Sequence, residues 1–398
     1  MKLLLLPLLP MWLLAVPLST LVENSKTNHT SLRSIEQRVS AIDNDIAISK
    51  NFVDPLLSIN ISDIQLDDIS NRSIEPMQFI SLSYQQKISY FGKRDAMASK
   101  RNAQKYMTNL TLDAMQVKLV EAVKRTAYSI WQKEEQLKIT NQYITLTKQN
   151  IELYSAFSTS DSKSHMSIMA AEMTLSELRI KTSRLKSSLK GLYSKLSYLS
   201  ATEHVNSVEM DVIVSKPVGL QNYIDATTNN VAYQVKEASL QVTQKDIKVK
   251  ELNKYSDPIL KLGYYSRDTF KDYVNVGISF SLPLYSTQDH MIEKSKKLSL
   301  AKENEITDFN ALLHTQITQV YAQLEESYEI HTIIQDESMP QIQHMFELSS
   351  SSIKSGDELF IYISLLEKKL ALDEKNIGVV AQYNKNKATL DALIGSIQ

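Results

Sequence analysis

The order helix, strand, loop, strand, long helical hairpin occurs twice in this 398-residue chain, and a fold for it has to accommodate both copies. Asp54-Pro55-Leu56-Leu57-Ser58-Ile59 in the first half answers to Asp257-Pro258-Ile259-Leu260-Lys261-Leu262 in the second. Val120–Tyr128 aligns without gaps on Leu313–Tyr321. Such matching halves point to a duplication.

The strands are short and alternate. Val274, Val276, Ile278, Phe280 and Leu282 fall on one side, with Asn275, Gly277, Ser279 and Ser281 on the other. Two strands are expected at about 54–91 in the first half and two at about 257–285 in the second. One apolar and one Asn/Gly/Ser face suits a sheet between lipid and water. It also suits a soluble, half-buried sheet, and alternation alone does not separate the two. Tyr264, Tyr265, Tyr273 and Tyr285 lie near the strand ends, where interfacial aromatic girdles would stand, which favours the membrane. Four strands cannot close a barrel, because about eight is the smallest number that does and open edges in lipid strand backbone groups. Several chains would therefore share one barrel, and three copies would supply twelve strands.

The helices have the spacing of rods. Between Asp289 and Gln335 the apolar positions Ile306, Phe309, Leu313, Ile317, Val320 and Leu324 step by three or four, as a coiled-coil seam does. A helix of that length reaches roughly 70 Å. A second arm follows through Leu359, Ile363, Leu366, Leu370, Ile377 and Val380, and the first half matches it with arms at 94–154 and 165–199. The resulting division is a first repeat over 23–201 with its hairpin at 94–199, a linker at 202–220, and a second repeat over 221–398 with its hairpin at 289–394. An amphipathic helix over 31–50 ends at Asp54-Pro55. Residues 1–22, with Lys2 before an almost unbroken apolar run, read as a secretory signal; an uncleaved anchor is the alternative.

Composition closes other routes. The chain has no cysteine, so disulfides, thiolate metal sites, cysteine nucleophiles and a lipidated N-terminal cysteine are excluded. A net charge of -1 and the lack of a basic stripe give no reason to expect nucleic acid. His29, His165, His204, His290, His314, His331 and His344 are scattered, with no His-Glu-x-x-His, and no metal or other cofactor is expected. Met166, Met169 and Met173 share a helix face; thioethers suit soft Cu(I), but seam packing accounts for them equally. The chain lacks a Gly-rich phosphate loop and a Gly-x-Ser-x-Gly elbow, and nothing argues for an enzyme.

Three local patterns, in order, resemble the TolC family of outer-membrane efflux proteins. Phe91-Gly92-Lys93-Arg94 looks like the strand-to-helix junction of the branch serving heavy-metal and other cation exporters. Val276–Tyr285 is similar to the second such junction, and Met339-Pro340, Ser355-Gly356 and Leu365–Leu370 resemble the hairpin tip and returning helix. The resemblance implies a mainly α fold with membrane β: long coiled-coil hairpins and four strands per chain, a homotrimer with a twelve-stranded barrel in outer-membrane lipid, and a periplasmic tube of twelve helices. It implies a passive conduit that works with a periplasmic adaptor and an inner-membrane pump, for instance of the resistance-nodulation-division type, with metal cations as the favoured cargo. Drug efflux and type I protein secretion are neighbouring readings, and a coiled-coil scaffold without a barrel is the rival from another class.

By the same resemblance, the hairpin tips that meet the adaptor correspond to 158–164 and 354–358, with Asp161, Ser162, Lys163, Ser355, Gly356 and Asp357 as contact residues. These tips depart from the family's small apolar-Gly-apolar triplet, since Ser355 and Asp357 flank Gly356 and Asp161 replaces the first glycine. Asp357, Glu358 and Tyr362 stand where a pore constriction would form, although the aspartate rings of some relatives fall here on Tyr362 and Leu365. For Gly356, Asp357 and Glu358 a plain helix start is the competing account.

Overall fold

The computed structural model describes residues 15–157, 162–351 and 356–396, excepting the side chains of 154, 156–157, 162–164, 349–351 and 356–360. Asp161 and Ser355 lie outside the described residues, as does the greater part of the apolar leader. The chain forms two compact units. One holds Met1–Ser34, Asp113–Val231 and Asn310–Gln398, and the other Ile35–Leu112 and Ala232–Phe309.

The elements in chain order are β1 (Val16–Pro17), α1 (Leu18–Asn28), α2 (Thr30–Lys50), β2 (Leu56–Ser62), β3 (Phe79–Lys87), α3 (Lys93–Phe157), α4 (Ser162–Leu199), β4 (Val208–Glu209), α5 (Leu220–Asp225), α6 (Val231–Leu252), β5 (Ile259–Ser266), β6 (Tyr273–Ser279), α7 (Thr287–Ile333), α8 (Met339–Ser351) and α9 (Gly356–Leu393). The run α2-β2-β3-α3-α4 is thus repeated as α6-β5-β6-α7-α8/α9. Where the second hairpin differs, the cause is Pro340. Its ring nitrogen cannot donate to the carbonyl four residues back, and the helix widens into a π turn over Ile334–Ser338 before α8 resumes. Met339-Pro340 therefore opens α8, and the return to α9 comes later.

In the first unit the helices pack along apolar seams. Tyr143 of α3, Ala171 and Leu178 of α4, and Tyr362, Ile363, Leu366 and Leu370 of α9 form one cluster, with Phe346 of α8 against it. Polar contacts set the register of these helices. Tyr143 Oη donates to Asp373 Oδ2 (3.1 Å), Thr174 to Glu367 (2.8 Å), Lys385 to Gln132 (3.0 Å) and Thr389 to Glu121 (2.8 Å). Burial, with Asp373 close by, pushes the Tyr143 hydroxyl up, and burial likewise raises Asp373.

The segment expected to be all leader contributes to this unit. β1 pairs in parallel with β4, Val16 against Val208, and Leu21 is fully buried. Asn24 Nδ2 donates to Thr202 Oγ1 at 3.1 Å. Residues 16–22, within the expected signal segment 1–22, thus pair and pack with the rest of this unit.

The second unit holds a four-stranded antiparallel sheet in the order β2-β3-β5-β6. Its two hairpins come from the two halves of the chain and are joined through β3 and β5, with Leu82 opposite Tyr264. Among the described residues no further strand meets the outer edges of β2 and β6.

Candidate functional site

Register divides the sheet into two chemically different faces. Because successive side chains alternate, residues paired across the strands form rows on one face. One set of rows is Leu57-Tyr84-Leu262-Val276, Ile59-Leu82-Tyr264-Val274 and Ile61-Ile80-Ser266, with Gln86-Leu260-Ile278 at the helix end. Every apolar side chain in these rows is exposed, from 39% at Tyr84 to 74% at Val276. Together they present on the order of 1,000 Å² of apolar surface, against the few hundred that soluble monomers show. Phe280 and Leu282 carry the same face past the end of β6.

The opposite face is polar and more sheltered. Its rows are Leu56-Gln85-Lys261-Gly277, Ser58-Ser83-Gly263-Asn275, Asn60-Ser81-Tyr265-Tyr273 and Ser62-Phe79, with Lys87-Ile259-Ser279 at the helix end. Ser81 is buried at 2%. Tyr265 and Tyr273 belong here, stacked 4.6 Å apart, with Phe79 edge-on to Tyr265 at 5.0 Å and the Arg267 guanidinium 4.9 Å above Tyr273. The expected aromatic girdle therefore divides. Tyr264 keeps to the apolar face, whereas the period of two sends its neighbour Tyr265 to the other, and pairing brings Tyr273 with it. Gly263 makes room for this cluster, since an added Cβ would come within 2.8 Å of the Tyr265 ring.

The far ends of the strands are held by loop hydrogen bonds. Gln78, 2% exposed, accepts from the backbone N–H groups of Ile74 (3.0 Å) and Glu75 (3.2 Å) and donates to the carbonyls of Asp63 and Asn71, both at 3.1 Å. One side chain thus satisfies four backbone groups of the 63–78 loop.

At the near ends, strand turns into helix at two corresponding points. Phe91 (φ 56°) and Gly92 (φ 73°) precede α3, and Ser286 (φ 53°) precedes α7. The first junction is braced from the other half of the chain: Lys93 Nζ donates to Asp257 Oδ1 at 2.7 Å and to the Tyr255 carbonyl. Asp257 also accepts from Tyr90 N–H (3.3 Å), and Lys87 lies 3.6 Å from its second oxygen. Burial pushes the Asp257 carboxyl up, but the Lys93 hydrogen bond, the Tyr90 N–H and the two ammonium charges together hold it below the usual carboxylate range. Arg94 donates to the Lys50 carbonyl (2.9 Å) and lies 3.8 Å over the Phe52 ring. Each residue of Phe91-Gly92-Lys93-Arg94 has a structural task at this corner, so the motif by itself carries no information about cargo.

Of the residues expected at the hairpin tips, Ser162 and Lys163 begin α4, and Gly356, Asp357 and Glu358 begin α9. Tyr362 is one turn further on, 8% exposed, 5.0 Å from the Phe346 ring of its own hairpin and in one cluster with Tyr143, Ala171 and Leu178 of the first hairpin. Met166, Met169 and Met173 point away from the chain's own seam, each more than 60% exposed. Among the described residues no three of His, Asp and Glu gather as a metal site would require, and no helix is long and apolar enough to cross a membrane.

The sequence matches no protein-family model and no curated protein. The fold matches solved structures over nearly all of its length. The open-state outer-membrane channel MtrE of Neisseria gonorrhoeae superposes with a TM-score of 0.78 at 12% identity, covering 96% of this chain and 89% of MtrE. The outer-membrane protein VceC of Vibrio cholerae gives 0.73 at 12% identity (95% and 96% covered), and the outer-membrane channel CmeC of Campylobacter jejuni gives 0.73 at 11% (95% and 85%). With its duplicated strand pairs, its long hairpins and this agreement over both halves, the chain has the TolC-type fold of bacterial outer-membrane channels.

Proposed function

We propose that this protein is one protomer of a homotrimeric outer-membrane channel, a passive conduit and not an enzyme, serving as the exit duct of a tripartite efflux system. The observation that carries the reading is the sheet: one face exposed and apolar, the other polar, with two edge strands unpaired among the described residues. A sheet of this kind is stable in lipid only when its edges are closed, and further copies of the chain are the simplest source of the missing strands. Three copies give twelve strands, against a minimum of about eight for a barrel. The structural likeness to MtrE, VceC and CmeC, all from the outer membrane, supports the same reading.

The helical hairpins then extend into the periplasm. Their tips, at Asp161, Ser162 and Lys163 and at Ser355, Gly356 and Asp357, are the surface offered to a periplasmic adaptor that couples the channel to an inner-membrane pump. Asp357 and Glu358 supply the charge of a constriction at that end, and Tyr362, packed in the cluster shared by the two hairpins, supports them from behind. Residues ahead of Val16 act as an export signal.

The test is fractionation of cells making the full chain, mild-detergent extraction of the outer membrane, and measurement of the unheated complex against the 45.2 kDa chain. A detergent-dependent species of three chains supports the proposal. A two-chain species would correct the stoichiometry, and a soluble, detergent-independent one would replace it with the coiled-coil scaffold.

A further inference from the structure

Resting on that channel reading, we propose that Lys261 makes the lumen selective for anionic solutes, as a ring of ammonium groups contributed once by each protomer. Lys261 stands on the polar face in the row Leu56-Gln85-Lys261-Gly277. No strand residue on that face is an Asp or Glu, and the other lysine there, Lys87, lies against the Asp257 carboxylate at 3.6 Å. Lys261 is exposed and, among the described residues, has no ion-pair partner. Next to it Gly277 offers no side chain to cover the amine: even an added Cβ there would be 3.9 Å from Lys261 Cβ. The row therefore presents an uncompensated positive charge to water, while the face turned to lipid carries none.

In an aqueous pore with low-dielectric walls such a ring raises the local potential by about one kT. One kT raises anions and lowers cations by about e-fold each, so the anion-to-cation ratio changes on the order of sevenfold. At the barrel end of the lumen this favours carboxylate-, sulfonate- or phosphate-bearing solutes, opposite in sign to what the Asp357 and Glu358 carboxylates favour at the helical tips and to the metal cations expected from Phe91-Gly92-Lys93-Arg94.

The experiment is single-channel recording of the full-length protein in planar bilayers under a KCl gradient. Lys261→Gln is expected to lower the chloride-to-potassium permeability ratio several-fold, and Lys261→Glu to lower it further. Since the chain has no cysteine, Lys261→Cys places a single thiol in it. In an already inserted Lys261→Cys channel, the cationic reagent methanethiosulfonate ethyltrimethylammonium is expected to restore the wild-type ratio, and its anionic sulfonatoethyl counterpart to lower the ratio further. An unchanged ratio after modification, or a thiol that neither water-soluble reagent reaches, would overturn the proposal even where Lys261→Glu fails to insert. Absence of any conductance from the wild-type protein would instead sink the channel reading itself.

Discussion

The brace between the two halves of the chain allows a quantitative test. Lys93 and Asp257 are separated by 164 residues, and their side chains are only 10% and 12% exposed, with Nζ and Oδ1 2.7 Å apart. Replacing Lys93 by Met keeps the stem and removes the ammonium, leaving Asp257 with the Tyr90 N–H and the more distant Lys87. Breaking a buried pair costs about 3–5 kcal/mol when the survivor is left alone. Here two contacts remain, so about 2–3 kcal/mol is expected for Lys93→Met, within the range of a charge-assisted hydrogen bond lost in a partly dry site. Asp257→Asn is expected to cost a similar amount, and the double variant much less than the sum, giving a coupling of roughly 1.5–2.5 kcal/mol. Urea unfolding of the detergent-solubilised protein, followed by far-ultraviolet circular dichroism, measures all four corners of the cycle.

The coupling also has a pH signature of known sign. Because the folded Asp257 carboxyl titrates below its unfolded value, its stabilisation is complete above the ordinary aspartate range, near pH 4. It is lost as the pH falls through the folded pKa. The wild-type advantage over Asp257→Asn is therefore expected to shrink on acidification and to stay level from pH 6 to 8. Additivity of the two single changes within about 0.5 kcal/mol at pH 7 would refute the brace.

Other changes separate the faces and the ends. Val276→Lys, on the apolar face, is expected to cost about 2–4 kcal/mol of membrane stability, and Asn275→Lys, one residue away on the polar face, under about 1; equal losses in heat-dissociation profiles of the complex would contradict the assignment of faces. Gln78→Ala leaves four backbone groups of the 63–78 loop without their partner, and protease added to intact cells is expected to cut that loop in the variant but not in the wild type. N-terminal sequencing of the mature protein is expected to find Val16 retained, and Leu21→Ala to cost about 2–5 kcal/mol, because the Leu21 side chain is fully buried; a mature chain starting after Leu21 would show that β1 and α1 are dispensable.

What the sequence determined by itself was whatever depends on periodicity. Steps of four and seven along Leu313, Ile317 and Leu324 place those residues on the buried side of α7, and all three are at most 1% exposed. Alternation from Val274 to Leu282 likewise announced β6 and its apolar face, and the repeated order of elements implied a second pair of strands. The extent of α2, α4 and the hairpin arms was legible for the same reason: each is set by neighbours three or four residues away. Register was not. Which strand lies beside which, and therefore which residues Lys261 joins in a row across the sheet, depends on pairing between segments some 180 residues apart. The tertiary structure alone set Leu82 opposite Tyr264, tied Val16 to Val208 and brought Lys93 to Asp257. These contacts come from loop closure over long separations, where no local pattern of residues records the partner.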